Sequence, residues 1–252
     1  MGKIALVTSR DLREILQSKG TYWGLMVLPL IFVPTIVVFG EGIEWIGEEL
    51  TIGGYTEEEA RLESEALLIK MTIMLSFVSM MTFCLFFSGY SVLSEKLKCS
   101  LESLMATPLT VQQIWLGKAL AVFLPSALLG IGLSAAAIVA ANELFIVSAI
   151  GCFIALPAAS LIVCIVSIPA IVLSLVCVTT LLQLIVANAR VVNVLFFLFI
   201  FGVAFGIMSV PVDVASLDFT LVSIAFIAVL AIFILLLARL LTKERVVLSS
   251  KG

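Results

Sequence analysis

The sequence predicts an all-α membrane protein with six transmembrane helices, an amphipathic helix at the N-terminus and a short helix on the cytoplasmic side. Of its 252 residues, 62% are hydrophobic and 12% are charged, whereas soluble domains contain about 45–50% apolar and about 25% charged residues. Apolar runs of about 20 residues, the length that crosses about 30 Å of hydrocarbon, recur along the chain. Basic residues concentrate in the segments that this layout places in the cytoplasm.

Several functional classes are excluded by residues that the chain lacks. It contains no histidine, which excludes a histidine general base and an HExxH zinc site. Its five cysteines are scattered without a CxxC pair, which is typical of small core residues. The chain also lacks a phosphate-binding loop. We therefore expect no enzymatic activity, no bound cofactor, no metal and no nucleic-acid partner.

Residues 3–20 are predicted to form an amphipathic helix at the membrane interface. Arg10, Arg13 and Glu14 face one side, and apolar residues at helical spacing face the other. The apolar side comprises Ile4, Ala5, Thr8, Leu12, Ile15 and Leu16. The alternative is a solvated helical tail, but the abrupt change to an apolar run with Tyr22 and Trp23 at its start favours the interface.

Six apolar segments follow, each long enough to span the bilayer. They cover residues 22–40, 67–94, 119–141, 161–187, 192–210 and 220–241.

Residues 41–66 form an acidic segment that we assign to an extracytoplasmic loop. Nine glutamates and one arginine, Arg61, give residues 41–65 a formal charge of −8. A solvated face explains such a run more simply than a site for cations or a basic peptide. Thr56 and Glu59 have the spacing of a capping box, which predicts a helix that begins there and runs into the second span.

The charge distribution predicts a plasma-membrane protein with both ends in the cytoplasm. Twelve of the fourteen basic residues, all except Arg61 and Lys70, fall in segments assigned to the cytoplasm. Because an excess of lysine and arginine marks cytoplasmic segments, both ends lie on one side and the number of spans is even. Residues 142–189 are long enough for one helix with an interfacial lead-in or for two crossings, and the even count favours one crossing.

Residues 95–118, between the second and third spans, are predicted to contain a short cytoplasmic helix. Ser100 is placed to cap it, Glu102 suits its positive N-terminal end, and Pro108 ends it. The segment therefore contains a separately bounded helix outside the lipid.

The apolar face of this short helix comprises Leu101, Leu104 and Met105. Such a face either docks on a partner or packs against its own bundle, and the residues alone leave both open. Thr110 and Gln113 form a second capping box, which predicts the start of the third span.

This segment resembles the loop between the second and third spans of ABC-2 type transporter permeases. The chain departs from the family pattern at Cys99, where the family usually has glycine. It agrees with the pattern at fourteen positions: Glu95, Lys96, Ser100, Leu101, Glu102, Leu104, Met105, Pro108, Leu109, Thr110, Gln113, Ile114, Gly117 and Lys118. The amphipathic N-terminal helix and the six spans are also similar to the family.

The resemblance implies that the chain is the transmembrane permease subunit of an ATP-binding cassette exporter for a hydrophobic or amphipathic substrate, or an ion. The short helix becomes a coupling helix that docks on a separate ATPase subunit, where ATP and Mg are bound. Family members combine two ATPase copies with two permease chains, as a homodimer or heterodimer in membrane lipid. The implied coupling residues are Glu95, Lys96, Ser100, Leu101, Glu102, Leu104, Met105 and Pro108.

Two further groups of residues have open interpretations. Gly202 and Gly206 in the fifth span form a G-x-x-x-G pair, which suits a contact between permease chains or packing within one chain. Gln183, Asn188 and Asn193 line a polar route or, as we favour, cap helices near the cytoplasmic edge.

The alternative function is a secondary transporter or channel driven by an ion gradient. That class is expected to place carboxylates inside its spans as ligands for the coupling ion. Glu143, Asp213 and Asp218 all fall at predicted span edges. The sequence therefore favours the exporter subunit.

Overall fold

The computed structural model describes residues 2–93, 95, 108–186, 188–209 and 217–239, and these residues are helical almost throughout, with no strand among them. Three π-helical turns, at Gly89–Leu93, Asn142–Ile146 and Val163–Ser167, continue or join α-helices. The α-helices are α1 (Lys3–Gln17), α2 (Lys19–Ile52), α3 (Glu57–Ser88), α4 (Val111–Ala141), α5 (Val147–Ile150), α6 (Ala158–Ile162), α7 (Ile168–Ile185), α8 (Ala189–Ser209) and α9 (Leu217–Ala238).

Five helical segments of the described chain are long and apolar enough to cross a membrane. Residues 190–203 of α8 form a shorter apolar helix, and large apolar side chains such as Leu195, Leu198 and Leu235 are exposed on α8 and α9. The architecture is therefore that expected of an all-α membrane protein with five candidate spans, and the sixth span stays a prediction. The five segments are Pro29–Ile52, Glu57–Ser88, Val111–Ile150, Ala158–Ile185 and Leu221–Ala238.

Both predicted capping boxes are present. The backbone N–H of Thr56 donates to Glu59 Oε2 at 2.9 Å, and the Glu59 N–H donates to Thr56 Oγ1 at 3.3 Å. Thr110 and Gln113 make the same reciprocal pair at the start of α4. Short-range sequence spacing therefore determines where α3 and α4 begin.

The acidic segment is largely helical, and its assignment to the extracytoplasmic side stays a prediction. α2 continues to Ile52, and only a short turn around Gly53, which has a φ of +83°, separates it from α3. Ile43 and Ile46 are fully buried in a cluster that includes Leu68 of α3. The charge run concealed an apolar stripe, because most of the glutamates of α2 point outward while the isoleucines between them pack.

α3 is the central helix of the described chain, since it packs against α2, α4, α7 and α8. Its N-terminal part joins α2 and the end of α4 in one apolar cluster. Its C-terminal part joins α4 and α7 in a larger one. α1 packs mainly against the start of α4.

Residues 142–160 form a compact connection that continues α4 and leads into α6, and only residues 151–157 lie between the candidate spans Val111–Ile150 and Ala158–Ile185. The single crossing expected for residues 142–189 stays a prediction. The helix of α4 continues through a π-helical turn and α5 to Ile150, and Gly151 then turns the chain with a φ of +81°. Asn142, fully buried, accepts a hydrogen bond from Ile154 N–H at 2.8 Å and donates to Ile154 O at 3.2 Å. Its side chain therefore satisfies both backbone groups of Ile154.

We expect Asn142→Leu to lower the free energy of unfolding by about 1–3 kcal/mol, because it leaves buried backbone groups without partners. Thermal unfolding of the purified protein in detergent measures this change. Ser148→Ala, which removes an exposed hydroxyl bonded only within its own helix, is the control and is expected to change stability by about 0.5 kcal/mol or less. Equal effects of the two changes would contradict the assigned role of Asn142.

Candidate functional site

A buried lysine and two buried carboxylates meet where α1, the start of α4 and the chain following α3 come together. Lys118 Nζ lies 2.9 Å from Asp11 Oδ2 and 2.7 Å from Glu95 Oε2. The side chains of Lys118, Asp11 and Glu95 are 0%, 3% and 8% exposed. Together with Arg10 and Glu14, these residues form what we call the charge cluster.

Close packing of α1 on α4 places Asp11 within reach of Lys118. Val7, Asp11 and Ile15 are the buried residues of α1, and their spacing of four puts them on one face. A Cβ atom on Gly117 would lie only 2.7 Å from the Val7 side chain, and Thr8 Oγ1 donates a hydrogen bond to Gly117 O at 3.2 Å. Glycine beside Lys118 therefore allows the two helices to approach.

The outer side of the charge cluster is half solvated. Arg10 Nη2 lies 3.8 Å from Glu95 Oε1, and Arg10 Nε lies 3.3 Å from Glu14 Oε1. Partial burial lowers the pKa of Arg10, but Glu14, Asp11 and Glu95 raise it by more, so the net pKa is raised. The guanidinium therefore stays charged and supplements Lys118 as a counterion for Glu95.

The carboxylates of the charge cluster are close enough to share a cation. Oxygen atoms of Asp11, Glu14 and Glu95 lie within 4.8 Å of one another. Lys118 and Arg10 already supply two positive charges to this group. The arrangement is therefore a protein ion-pair network, which links three segments of the chain through side-chain charges.

The structure describes only part of the predicted coupling set. Glu95 belongs to the charge cluster, and Pro108 is exposed just before α4. The predicted short helix lies outside the described residues, so its structure and its docking face stay predictions. The coupling residues that fall there are Lys96, Ser100, Leu101, Glu102, Leu104 and Met105.

Asp11 is the main site residue that sequence reasoning missed. The predicted apolar face of α1 combined Ala5 and Leu16, which are exposed, with Ile15, which is buried. The buried face instead runs from Val7 through Asp11 to Ile15. The sequence did contain a signal for this face, because Asp11 lies four residues from Val7 on one side and four residues from Ile15 on the other.

Gly202 and Gly206 lie on one face of α8. A Cβ atom added at either glycine would meet no described atom within 4 Å, and Gly202 is exposed. Packing within one chain thus gains no support from the described residues. A contact with a second chain stays a prediction.

A second polar cluster connects α3, α7 and α8. Gln183 Nε2 lies 2.6 Å from Ser88 Oγ and 2.5 Å from Asn193 Oδ1. Asn193 also borders a cavity of about 420 Å³ between α3 and α8, whose walls are mainly apolar and include Thr82 and Phe197. Gln183 and Asn193 thus bridge helices rather than cap them. Asn188 Oδ1 does act as a cap, since it accepts from the Arg190 N–H at 3.1 Å.

Comparison with protein-family models, with curated proteins and with solved structures finds no match for this chain.

We expect Lys118→Met to lower the free energy of unfolding by about 3–5 kcal/mol, because it leaves two buried carboxylates without their closest counterion. Thermal unfolding in detergent measures the loss. Glu14→Gln, which breaks only the exposed pair with Arg10, is expected to cost about 0.2–1 kcal/mol. Adding Asp11→Asn and Glu95→Gln to Lys118→Met restores part of the loss. Equal losses for Lys118→Met and Glu14→Gln would contradict the account.

Proposed function

We propose that this chain is the transmembrane permease subunit of an ATP-driven exporter of the ABC-2 type, working with a separate ATPase subunit. Its own role is to convert a movement of the cytoplasmic segment 95–118 into a rearrangement of the membrane helices. ATP and Mg bind in the partner, which supplies the energy. The two ends of the chain then lie in the cytoplasm of a plasma-membrane protein with six spans.

One observation supports this proposal above the others. Glu95 and Lys118 are the first and last residues of the segment that resembles the family's coupling loop, and they form a buried ion pair. The pair closes the base of the loop and ties it to Asp11 of α1. A loop with a fixed base transmits a push at its tip to the helices that carry it, instead of absorbing the push in its own flexing.

The helix that leaves this base is well suited to carry a displacement. Residues Val111–Ile150 form a continuous helical segment of 40 residues, about 60 Å long at 1.5 Å per residue. This exceeds the total bilayer thickness of about 40–45 Å. A tilt of this helix at Lys118 would therefore also displace Asn142 and the connection on the other side of the membrane.

The cavity between α3 and α8 fits the hydrophobic or amphipathic cargo that we propose. Its walls are mainly apolar, while Thr82 and Asn193 add hydrogen-bonding groups. Asn193 is held from behind by Gln183. We propose that two permease chains and two ATPase copies assemble in membrane lipid, with the face of α8 that carries Gly202 and Gly206 between the permeases.

An ion-driven transporter or channel remains the alternative function, and the charge cluster argues against it. A coupling ion needs carboxylates that can exchange it with both sides of the membrane. Among the described residues, the buried carboxylates are Asp11 and Glu95, and both pair with the same lysine at one end of the bundle. That position and pairing suit a structural joint better than an ion pathway.

We expect an ATPase subunit to co-purify with the tagged chain after mild detergent extraction. Leu101→Asp or Glu102→Lys should abolish this association, because each change alters the predicted docking face while leaving the spans inserted. Quantitative mass spectrometry of the purified complex measures the ratio of the two subunits. Glu58→Lys, a matched charge reversal at an exposed residue of α3, is expected to retain the partner. Retention by both docking variants would show that the docking site lies elsewhere.

We expect a membrane-impermeant maleimide to label Cys99 in inside-out vesicles and not in intact cells. The partly exposed Cys152, in the connection before α6, should show the reverse pattern and so serves as the outer reference. Variants Cys99→Ser and Cys152→Ser assign each signal, while the buried Cys84, Cys164 and Cys177 should react in neither. Labelling of Cys99 from outside intact cells would overturn the orientation and the function with it.

A further inference from the structure

A cavity between α2 and α3 combines apolar walls with a single cationic side chain. Its volume is about 430 Å³. α2 contributes Thr35 and Val38, and α3 contributes Leu67, Met71 and Met74 beside Lys70. This cavity is separate from the charge cluster and from the cavity at Asn193.

Lys70 is half-buried and has no carboxylate oxygen within 4 Å among the residues that the structure describes. An ammonium group removed from water without a counterion is unfavourable, and positive side chains in membrane segments generally pair with an anion. The cavity beside Lys70 offers room for that anion. Because the rest of its lining is largely apolar, the ligand also carries an apolar portion.

The depth of Lys70 indicates where this ligand resides. Glu95 lies 25 positions after Lys70 in the chain, which corresponds to about 37 Å of helix at about 1.5 Å per residue. With Glu95 at the cytoplasmic interface, as the predicted orientation has it, Lys70 lies beyond the hydrocarbon core of about 30 Å and within the outer headgroup layer. Phospholipid phosphates occupy that layer, and acyl chains begin just beneath it.

The negative charge near the cavity bears on whether the ligand is a lipid or a small anion from solution. Residues 41–65, which cap the outer ends of α2 and α3, carry a formal charge of −8. Electrostatic effects extend about 8 Å at physiological ionic strength, so free anions approaching from the water are repelled. The same repulsion acts on a lipid phosphate at Lys70, but the acyl chain of a lipid also gains apolar burial against the cavity walls, which offsets the repulsion and which a free anion lacks.

We propose that the cavity at Lys70 binds an anionic phospholipid of the outer leaflet. Its phosphate pairs with Lys70 Nζ, and one acyl chain lies along Val38, Met71 and Met74. The bound lipid neutralises the cation and fills the space between α2 and α3. This inference depends on the outer position of the acidic segment, residues 41–65, and is independent of whether the chain works with an ATPase.

Native mass spectrometry of the full-length protein in detergent tests the proposal. The protein is titrated with phosphatidylglycerol and with phosphatidylcholine of identical acyl chains. We expect a preference for phosphatidylglycerol that falls about tenfold in Lys70→Gln, equivalent to the loss of one charge-assisted contact. Lys70→Arg, which keeps the charge, should retain the preference and shows that replacing the lysine does not itself disrupt the fold.

Matched controls separate this site from general effects. Arg61→Gln removes an exposed cation from the same helix and should leave the preference intact. Val38→Trp, which fills the cavity, should weaken binding of both lipids, whereas Val37→Trp at the neighbouring exposed residue outside the lining should not. An unchanged preference in Lys70→Gln, or an equal fall in Arg61→Gln, would overturn the proposal. Competition by millimolar inorganic phosphate would overturn the choice of a lipid over a free anion.

Discussion

The ion pairs of Lys118 constrain the end of the molecule where α1, the start of α4 and the chain following α3 meet. A fully buried ammonium group is tolerated only when counterions reach it, and here one comes from α1 and the other from the chain that follows α3. Three segments distant in sequence are therefore held at a single point. The N-terminal helix is consequently part of the bundle and not a loosely attached tail, and the loop between the second and third long helices has a closed base.

Features controlled by neighbouring residues could be predicted from the sequence. The capping boxes at Thr56 and Thr110 and the helical class follow from local spacing and apolar length. Glu95 and Lys118 could be selected as candidates, because they belong to a recognisable pattern. Their direct contact could not be predicted, because it depends on the way in which the helices on either side of the loop pack together.

The failures have the same physical origin. Asp11 was missed because an acid on an apolar face is stable only when a cation from elsewhere meets it, and Lys118 is 107 positions away. The continuation of α2 through residues 41–52 was missed because the charge of this segment hid the packing of Ile43 and Ile46 against α3. Likewise Asn142 acts on Ile154 across a connection whose path no periodic pattern reveals. These features depend on contacts between residues that are distant in the sequence, and a single sequence does not reveal such contacts.

The π-helical turn at Gly89–Leu93 gives the end of α3 a defined angular phase. A π-helical turn holds one more residue than an α-helical turn, and each residue of an α-helix advances the side chain by about 100°. Tightening this turn into α-helix would swing every later residue around the axis by that amount and carry Glu95 away from Lys118. The extra residue of this turn therefore sets the direction in which Glu95 faces, and the ion pair with Lys118 forms only in the π-helical conformation.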